Sequence, residues 1–295
     1  MAALNEVKER IGSVTSTQQI TKAMKMVAAS KLRKAQDKIT QMRPYSEKLF
    51  SILGNVTAAL KEEANNPYAQ GRDEIKNVLI VVVTSDRGLC GAFNANIIKA
   101  TRQLVEEKYA GKNVTLLTLG NKGNEFFAKR DYNVISDYAE IFHDLSFEQA
   151  RKVAEYAMAE FLNGTYDAVD IVYNEFVNVV TQVVHADRFL PVAADADESK
   201  ENAQEMEVDY IFEPNKEDIL KELIPKSLKI SFYTKLLDSN AAEQGARMSS
   251  MDKATDNAGE LIKQLTLMYN RSRQAAITTE ILEIVGGAEA LAQGS

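Results

Sequence analysis

One long stretch near the start of the chain decides the fold: LNEVKERIGSVTSTQQITKAMKMVAASKLRKAQDKITQM, residues 4–42. It contains no proline and only one glycine, Gly12, and seam residues recur at intervals alternating between three and four. The seam positions are Leu4, Val7, Ile11, Val14, Gln18, Thr21, Lys25, Ala28, Leu32, Ala35, Ile39 and Met42. A heptad seam of this length is typical of a coiled-coil helix, so the stretch predicts a long helix that pairs with another helix.

The middle of this seam is polar, because Gln18, Thr21 and Lys25 occupy three successive seam positions. Polar seam residues weaken a simple coiled coil. We therefore expect the helix pair to be loosely wound here, or to contact something else.

A second long helical pattern in the last third of the chain would supply the partner helix. Pro214 and Pro225 precede it, and few helix breakers follow. We predict a short helix over Lys216–Ile224 and a long one from residue 226 to about residue 290. At 1.5 Å per residue the two long helices would span about 80 and 100 Å, more than a globular domain. The apolar positions are Leu236, Leu237, Ala241, Met248, Met251, Ala258, Ile262, Leu265, Ala276, Ile281 and Val285.

The segment between the two helices changes to an alternation of strands and helices. Such alternation indicates a mostly parallel α/β sheet. Strands are predicted at Asn77–Thr84, Asn113–Leu119, Tyr132–Ile135, Ala168–Tyr173 and Asn178–Val184, with helices near Ala92–Tyr109, Asn121–Lys129 and Ser146–Leu162.

The predicted fold class is α/β plus a long coiled coil: an antiparallel two-helix coiled coil formed by the two ends of the chain, with a central Rossmann-like α/β domain. The predicted parts are an N-terminal coiled-coil helix (1–60), the α/β domain (74–212) and the C-terminal helices (216–290). The longer C-terminal helix would project with an apolar tip, ITTEILEIVGGAEAL, residues 277–291. An apolar tip needs a cover, either a partner or the chain's own hairpin folded back on it.

Charge is unevenly distributed along the chain. The net charge is -7, yet residues 1–45 hold nine Lys or Arg and only three acidic residues. A basic helix in an acidic protein indicates an acidic partner, or else a solvated charged face. The longest apolar run, Val78–Val83, is far too short to cross a bilayer. The start of the chain carries charges where a secretory signal would be apolar, and the single cysteine, Cys90, excludes an internal disulfide.

Motifs for phosphate, dinucleotide or metal binding are missing. Gly111-Lys112 lacks the upstream glycine of a phosphate loop, and Gly120-Asn121-Lys122-Gly123 has the wrong spacing. The two histidines, His143 and His185, are far in sequence from any ligand cluster with metal spacing. We therefore predict no catalytic residue, no metal and no cofactor.

One local motif resembles a ligand site. SDRGLCG, residues 85–91, follows a predicted strand and precedes a predicted helix, where α/β folds bind ligands. The turn could hold an anion, and Cys90 could have a lowered pKa. Alternatively, Gly88 and Gly91 only permit a tight turn that Asp86 and Arg87 brace.

Five stretches together resemble the gamma subunit family of F-type ATP synthases. They occur in the family's order and spacing, and the resemblance covers both ends and the first strand-turn of the middle domain. They are ITKAMKMVAASKLRKAQ (20–36), SDRGLCG (85–91), VDYIFEP (208–214), ARMSSMDKATDNAGELI (246–262) and RSRQAAITTEILEIVGGAEAL (271–291).

The resemblance implies roles for particular residues. The coiled coil would enter the ring of alternating alpha and beta subunits, and Tyr210 and Glu213 would form a foot toward the epsilon subunit and the membrane-embedded c-ring. Lys31, Arg33, Lys34 and Cys90 would lie near an acidic helix-turn-helix of beta. The other implied contacts with the head are Met24, Arg247, Arg273, Gln274 and Thr278, and the tip seated in a sleeve comprises Ile277, Ile281, Ile284, Val285 and Leu291.

The resemblance thus implies a non-catalytic rotor shaft on the cytoplasmic face of a bacterial inner membrane, peripheral to that membrane through the ring. No nucleic-acid partner is expected. Two other interpretations remain open. One is an α/β enzyme with a phosphate-binding turn at Ser85–Gly91. The other is a nucleic-acid-binding coiled coil, although only Tyr45 and Phe50 lie near its basic helix as stacking aromatics.

Overall fold

The computed structural model describes residues 2–59, 66–72, 74–192 and 216–293. The described part contains five α-helices and five strands, with a π-helical turn at Leu104–Lys108 and a 3-10 turn at Ile141–Asp144. The helices are α1 Ala2–Ala59, α2 Phe93–Gln103, α3 Asn121–Phe127, α4 Phe147–Asn163 and α5 Lys216–Gln293. The strands are β1 Asn77–Val83, β2 Asn113–Leu119, β3 Asn133–Ile135, β4 Ala168–Phe176 and β5 Gln182–Leu190.

The chain divides into two compact units. The first combines residues up to Ala28 with residues from Met248 onward, and the second spans Ala29–Arg247. The predicted division into an N-terminal helix (1–60), an α/β domain (74–212) and C-terminal helices (216–290) stays a prediction.

The first unit is an antiparallel pair of helices formed by the two ends of the chain. Its direction is visible in two cross-contacts: the Gln18 side-chain amide donates to the backbone oxygen of Thr255 at 3.3 Å, and Lys25 pairs with Asp252 at 2.5 Å. Residue numbers rise along α1 while they fall along α5. The predicted antiparallel pairing is therefore confirmed.

Burial along α1 follows the heptad seam. Every seam residue from Leu4 to Met42 is buried or half-buried, whereas most residues between them are exposed. In the second unit Ile39 and Met42 pack against the main core of the α/β domain. The heptad seam of α1 is thus buried in the helix pair in the first unit and packs against the domain core in the second.

The polar middle of the seam is paired inside the helix pair. The hydroxyls of Thr21 and Thr255 lie 2.8 Å apart, and Lys25 bonds Asp252. Polar residues on α5 therefore face the polar residues on α1, and the seam side chains have hydrogen-bond partners within the chain. The expectation that the pair is loosely wound here or contacts something else stays a prediction.

The second unit is built on a five-stranded sheet of order β3-β2-β1-β4-β5. The first four strands are parallel, and β5 pairs antiparallel with β4. All residues of β1 after Asn77 are buried, as a central parallel strand covered on both faces requires. The predicted Rossmann-like α/β fold is confirmed.

Two apolar layers cover the sheet. Leu79, Val81 and Val83 face a core that includes α4 and the start of α5. Val78, Ile80 and Val82 face a second core with residues of α2 and α3.

Two predicted element boundaries are wrong. The strand predicted at Asn178–Val184 begins only at Gln182 and runs on to Leu190. Residues 178–181 belong to the loop between β4 and β5, where the Asn178 carboxamide oxygen accepts from the amides of Val180 and Thr181. In addition, Pro225 does not break the last helix, since α5 runs through it. Its neighbours Ile224 and Leu228 pack on the domain core, and this burial offsets the roughly 3 kcal/mol that an interior proline costs.

Candidate protein-interaction surfaces

The Ser85–Gly91 turn is held together by its own side chains and by α2. The Ser85 amide donates to Oδ1 of Asn94 at 3.0 Å, and the Ser85 hydroxyl donates to the Arg87 backbone oxygen at 2.7 Å. The carboxylate of Asp86 accepts from the amide of Asn121 at 3.2 Å. The amide and the hydroxyl of Ser85, two donors that could receive an anion, are thus already used within the chain.

Leu89, rather than Gly88, takes the strained backbone conformation in this turn. Leu89 has φ 64° and Gly91 has φ 60°, both in the left-handed region. Asp86 does brace the turn as expected. Arg87 contributes through its backbone oxygen.

Arg247 fastens this turn to α5. Its guanidinium donates to the backbone oxygens of Arg87 at 2.9 Å and Gly88 at 3.3 Å, and it also pairs with Glu243. Burial raises the pKa of Glu243, and the Arg247 charge opposes that rise. The Arg247 side chain is only 12% exposed, so the structure assigns it a contact inside the chain. Its expected contact with another subunit stays a prediction.

Cys90 is a core residue of the turn. It is 2% exposed and packs with Phe93, Ala242 and Ala246. Burial raises the pKa of its thiol, and the hydrogen bond with Ser85 opposes the rise only in part. The expectation of a lowered pKa is therefore wrong. The geometry favours the bracing interpretation of the turn over a nucleophile or an anion site.

The remaining predicted contacts on α1 lie on two faces. Met24 is half-buried, while Lys31, Arg33 and Lys34 are exposed. Lys31 lies within electrostatic range of the buried Glu243 carboxylate. The three exposed basic side chains are accessible to a partner, and Lys31 lies near the Glu243–Arg247 pair that holds the Ser85–Gly91 turn.

The end of α5 is exposed over several turns. Arg273, Gln274 and Thr278 are all exposed, and the Thr278 hydroxyl donates to the backbone oxygen of Gln274 at 2.9 Å. Ile284 is 70% exposed, and the other large apolar side chains from Ile277 to Val285 are about half exposed or more. No described part of the chain folds back to cover them. Nothing is described for the side chain of Leu291, and Tyr210 and Glu213 lie outside the described residues.

Sequence reasoning missed several exposed apolar side chains. Leu89 is 64% exposed, and Val177 and Val180 in the β4–β5 loop are 54% and 81% exposed. On α1, Ile20 and Val27 lie off the seam and are also exposed. The exposure of Ile20 and Val27 could have been predicted from their positions outside the heptad seam. The exposure of the loop valines could not, because valine is typical of strands.

Within the described residues, His, Cys, Asp and Glu side chains form no group that could hold a metal ion. Among the described helices, none is long and apolar enough to cross a membrane.

A family model described as ATP synthase matches residues 3–291. An ATP synthase gamma chain of Cytophaga hutchinsonii is 57% identical over 295 residues, with 99% of each chain covered. The chain belongs to the ATP synthase gamma chain family. A family member from Christiangramia forsetii is 54% identical over 291 residues, again with 99% of each chain covered.

Solved structures share the fold of this gamma-chain family member. A chain of the Euglena gracilis mitochondrial ATP synthase, in a structure titled OSCP/F1/c-ring, rotational state 3, superposes with a TM-score of 0.66. It is 19% identical, and the match covers 99% of this chain and 96% of that one. At this identity the likeness concerns the fold alone. The predicted family resemblance is confirmed by the family model and the curated relatives.

Proposed function

We propose that this chain is the central rotor shaft of an F-type ATP synthase, transmitting rotation of the membrane ring to the catalytic beta subunits. The observation that carries the proposal is the exposed apolar end of α5. Ile277, Ile281, Ile284 and Val285 would be costly to leave in water, so they call for an enclosing partner. Family membership over the full chain supports that partner being the catalytic head.

The partners we propose are the alpha and beta subunits around the helix pair, and the epsilon subunit and c-ring at the foot. The exposed cations Lys31, Arg33 and Lys34 support an acidic neighbour on beta. The shaft would be peripheral to a bacterial inner membrane through the ring, and it would supply no catalytic residue, metal ligand or cofactor.

The mechanism we propose is mechanical coupling by differential contact. A rotating shaft changes the populations of the beta conformations only if it interacts more favourably with one conformation than with another. Arg273, Gln274 and Thr278 occupy one exposed stretch of α5, so they can bond a subunit in one orientation and lose that bond after rotation. The two faces of a helix pair with different side chains provide the necessary asymmetry.

Co-purification tests the assembly. The tagged full-length chain, coexpressed with the alpha and beta subunits, should capture both subunits as a complex with ATPase activity. The chain purified alone should hydrolyse no ATP. Capture of neither subunit would contradict the proposal, as would ATP turnover by the isolated chain.

Coupling is tested with Arg273→Ala combined with Gln274→Ala. Torque of the assembled complex on an immobilised head should fall, because two side chains able to bond the head are removed. Replacing exposed residues of similar type on α4, Gln149→Ala and Lys152→Ala, is the matched control and should leave torque unchanged. Equal torque in both double variants would remove Arg273 and Gln274 from the mechanism.

A further inference from the structure

The β4–β5 pair meets α5 and α1 through a group of titratable side chains that none of the proposed subunit contacts uses. We call this group the carboxylate cluster. It comprises Tyr173 and Glu175 on β4, His185 and Asp187 on β5, Lys235 and Asp238 on α5, and Arg43 on α1. We propose that the carboxylate cluster is a proton-operated switch: uptake of a proton tightens the hold of α5 on the β4–β5 pair, and its loss loosens that hold. The whole cluster lies in the second unit, so the inference does not depend on the proposed function.

The two strands bring their side chains of the cluster to one face of the sheet. Tyr173 lies opposite His185 in the strand register, and their rings stack with centroids 5.6 Å apart. Glu175, two residues after Tyr173, lies on the same face, and its Oε2 is 2.8 Å from Nε2 of His185. Tyr173 itself packs in the main core. The carboxylate cluster therefore continues that core toward β5, the edge strand of the sheet.

Lys235 fastens α5 to this face. Its ammonium group pairs with Asp187 and donates to the Tyr173 hydroxyl at 3.2 Å. The Tyr173 hydroxyl in turn donates to Asp187 at 3.1 Å, and it lies within electrostatic range of Glu175 and Asp238. Asp238 follows Lys235 by three residues, so both lie on the same side of the helix. This side of α5 thus presents to the strands one cation that is already bonded and one carboxyl group.

Asp238 is the carboxyl group with the weakest electrostatic support. Burial, and next repulsion from Glu175, raise its pKa to about 6, while the charges of Arg43 and Lys235 oppose the rise. Lys235 is shared with Asp187, and Arg43 is exposed, where salt screens its charge. The three carboxyl groups of the cluster therefore share its two permanent cations. One proton removes that imbalance.

The proton changes the force between β4 and α5. With Asp238 ionised, the like charges of Glu175 and Asp238 repel across the contact between the strand and the helix. With Asp238 neutral, this repulsion and the cost of burying its charge disappear. Because the folded-state pKa is raised, the stabilising effect is full below pH 3.8 and is lost as pH rises through about 6. The hold on the β4–β5 pair should therefore be firm at pH 5 and looser at pH 7.5.

Hydrogen–deuterium exchange of the full-length chain, followed by mass spectrometry at pH 5 and pH 7.5, tests the switch. Observed rates are compared with the intrinsic chemical rates at each pH, which gives the protection of each peptide. We expect protection in residues 168–190 to be about three- to tenfold higher at pH 5, the range that a carboxyl pKa raised to about 6 allows. Residues 113–135, at the opposite edge of the same sheet, are the internal control and should change less than about 1.5-fold. An equal change in both regions would overturn a local switch.

Asp238→Asn identifies the group that carries the proton. The amide cannot ionise, so protection of residues 168–190 at pH 7.5 should rise to the parent's value at pH 5 and should no longer depend on pH. Asp256→Asn, an exposed change on the same helix, is the matched control and should keep the parent's dependence. Imidazole groups also take up a proton in this pH range, so His185→Gln is compared and should keep most of the dependence. A full dependence in Asp238→Asn, or loss of the dependence in His185→Gln, would overturn the assignment to Asp238.

Glu175→Gln tests the repulsion from the other side of the contact, and it keeps the proposal testable if Asp238→Asn does not fold. The glutamine carries no charge but retains a group that can bond His185. Protection of residues 168–190 at pH 7.5 should rise, and the ratio between the two pH values should fall at least about 1.5-fold below the parent's. A ratio equal to the parent's would contradict repulsion between Glu175 and Asp238 as the force that loosens the contact.

Discussion

At the residue scale, Gly120 allows the segment that follows β2 to lie against the segment that follows β1 at Thr84. Its φ is 98°, and an added Cβ would lie 2.1 Å from the backbone oxygen of Thr84. The Thr84 amide in turn donates to the Leu119 oxygen at 2.7 Å, so this backbone has no room to move aside. Residue 120, which follows β2, can therefore lie this close to Thr84, which follows β1, only as a glycine.

Gly120→Ala is expected to destabilise the α/β domain by at least about 3 kcal/mol, because a backbone clash adds to the strain of a positive φ. Gly111→Ala is the matched control: its φ is 72° but nothing lies within 4 Å of the new Cβ, so only about 1 kcal/mol of backbone strain remains. Denaturant unfolding followed by circular dichroism measures both changes. Equal losses of stability in the two variants would contradict the argument.

A second residue-scale effect concerns Asp238 on α5. Burial, together with repulsion from Glu175, raises the pKa of this carboxyl from its ordinary 3.8 to about 6, while Arg43 and Lys235 oppose the rise. A raised folded-state pKa means that the folded protein binds the proton more tightly than the unfolded chain. The stabilising contribution is full below pH 3.8 and is lost as pH rises through about 6.

Asp238→Asn should therefore be more stable than the parent chain at pH 7.5, by at most about 3 kcal/mol, since the amide cannot ionise. The advantage should shrink as pH falls toward 4. Urea unfolding at several pH values gives the difference between the two chains, and Asp256→Asn is the exposed control. A constant difference across this pH range would show that Asp238 is not the titrating group.

At the element scale, a helix pair is stabilised by its seam and specified by its polar layer. Ala258 and Leu265 on α5 are 7% and 6% exposed, whereas Leu267, two residues further along the same helix, is 62% exposed. The hydroxyls of Thr21 and Thr255 pair only when the two helices are in this register. Apolar burial thus supplies the stability of the pair, and hydrogen bonding selects the register.

Leu265→Ala should destabilise the helix pair by about 2–3 kcal/mol, while Leu267→Ala should change its stability by less than about 0.5 kcal/mol. The reason is that only Leu265 loses buried contacts. Amide hydrogen exchange of residues in the first unit measures the effect locally in the full chain. Similar exchange rates in both variants would contradict the assigned seam.

At the scale of the whole molecule, the exposed end of α5 contributes to stability differently from the rest of the fold. Side chains from Ile277 to Val285 are about half exposed or more, so they contribute little to the fold of the free chain. In the proposed complex the same side chains would be covered by the head. Stability of the free chain and stability of the complex should therefore respond differently to their loss.

A chain ending at Ala276 is expected to melt within about 2 °C of the full chain when isolated, because few buried contacts are removed. Its complex with alpha and beta should dissociate at a lower temperature than the full-length complex, because apolar burial at the tip is lost. Differential scanning calorimetry measures both transitions. A large drop in the melting temperature of the isolated chain would show that the tip packs on its own hairpin.

Local patterns were sufficient for the elements of this protein, since a heptad seam and alternating strand-helix segments are visible within a few turns of chain. They predicted the antiparallel helix pair and the parallel α/β sheet, which the structure confirms. Local signals at Pro225 and at residues 178–181 misled. Burial of Ile224 and Leu228 outweighs the proline preference, and the hydrogen bonds of Asn178 outweigh the strand preference of the valines.

The sequence by itself determined which segments are helices and strands and which faces are apolar, because both follow from periodicity along the chain. Only the tertiary structure decided that Cys90 is a buried thiol with a raised pKa, that Arg247 binds the turn at Arg87, and that Thr255 satisfies the polar seam at Thr21. In each case the partner is more than 140 residues away or the cause is burial by several elements. Such contacts arise from distance and desolvation in three dimensions, which no local pattern encodes.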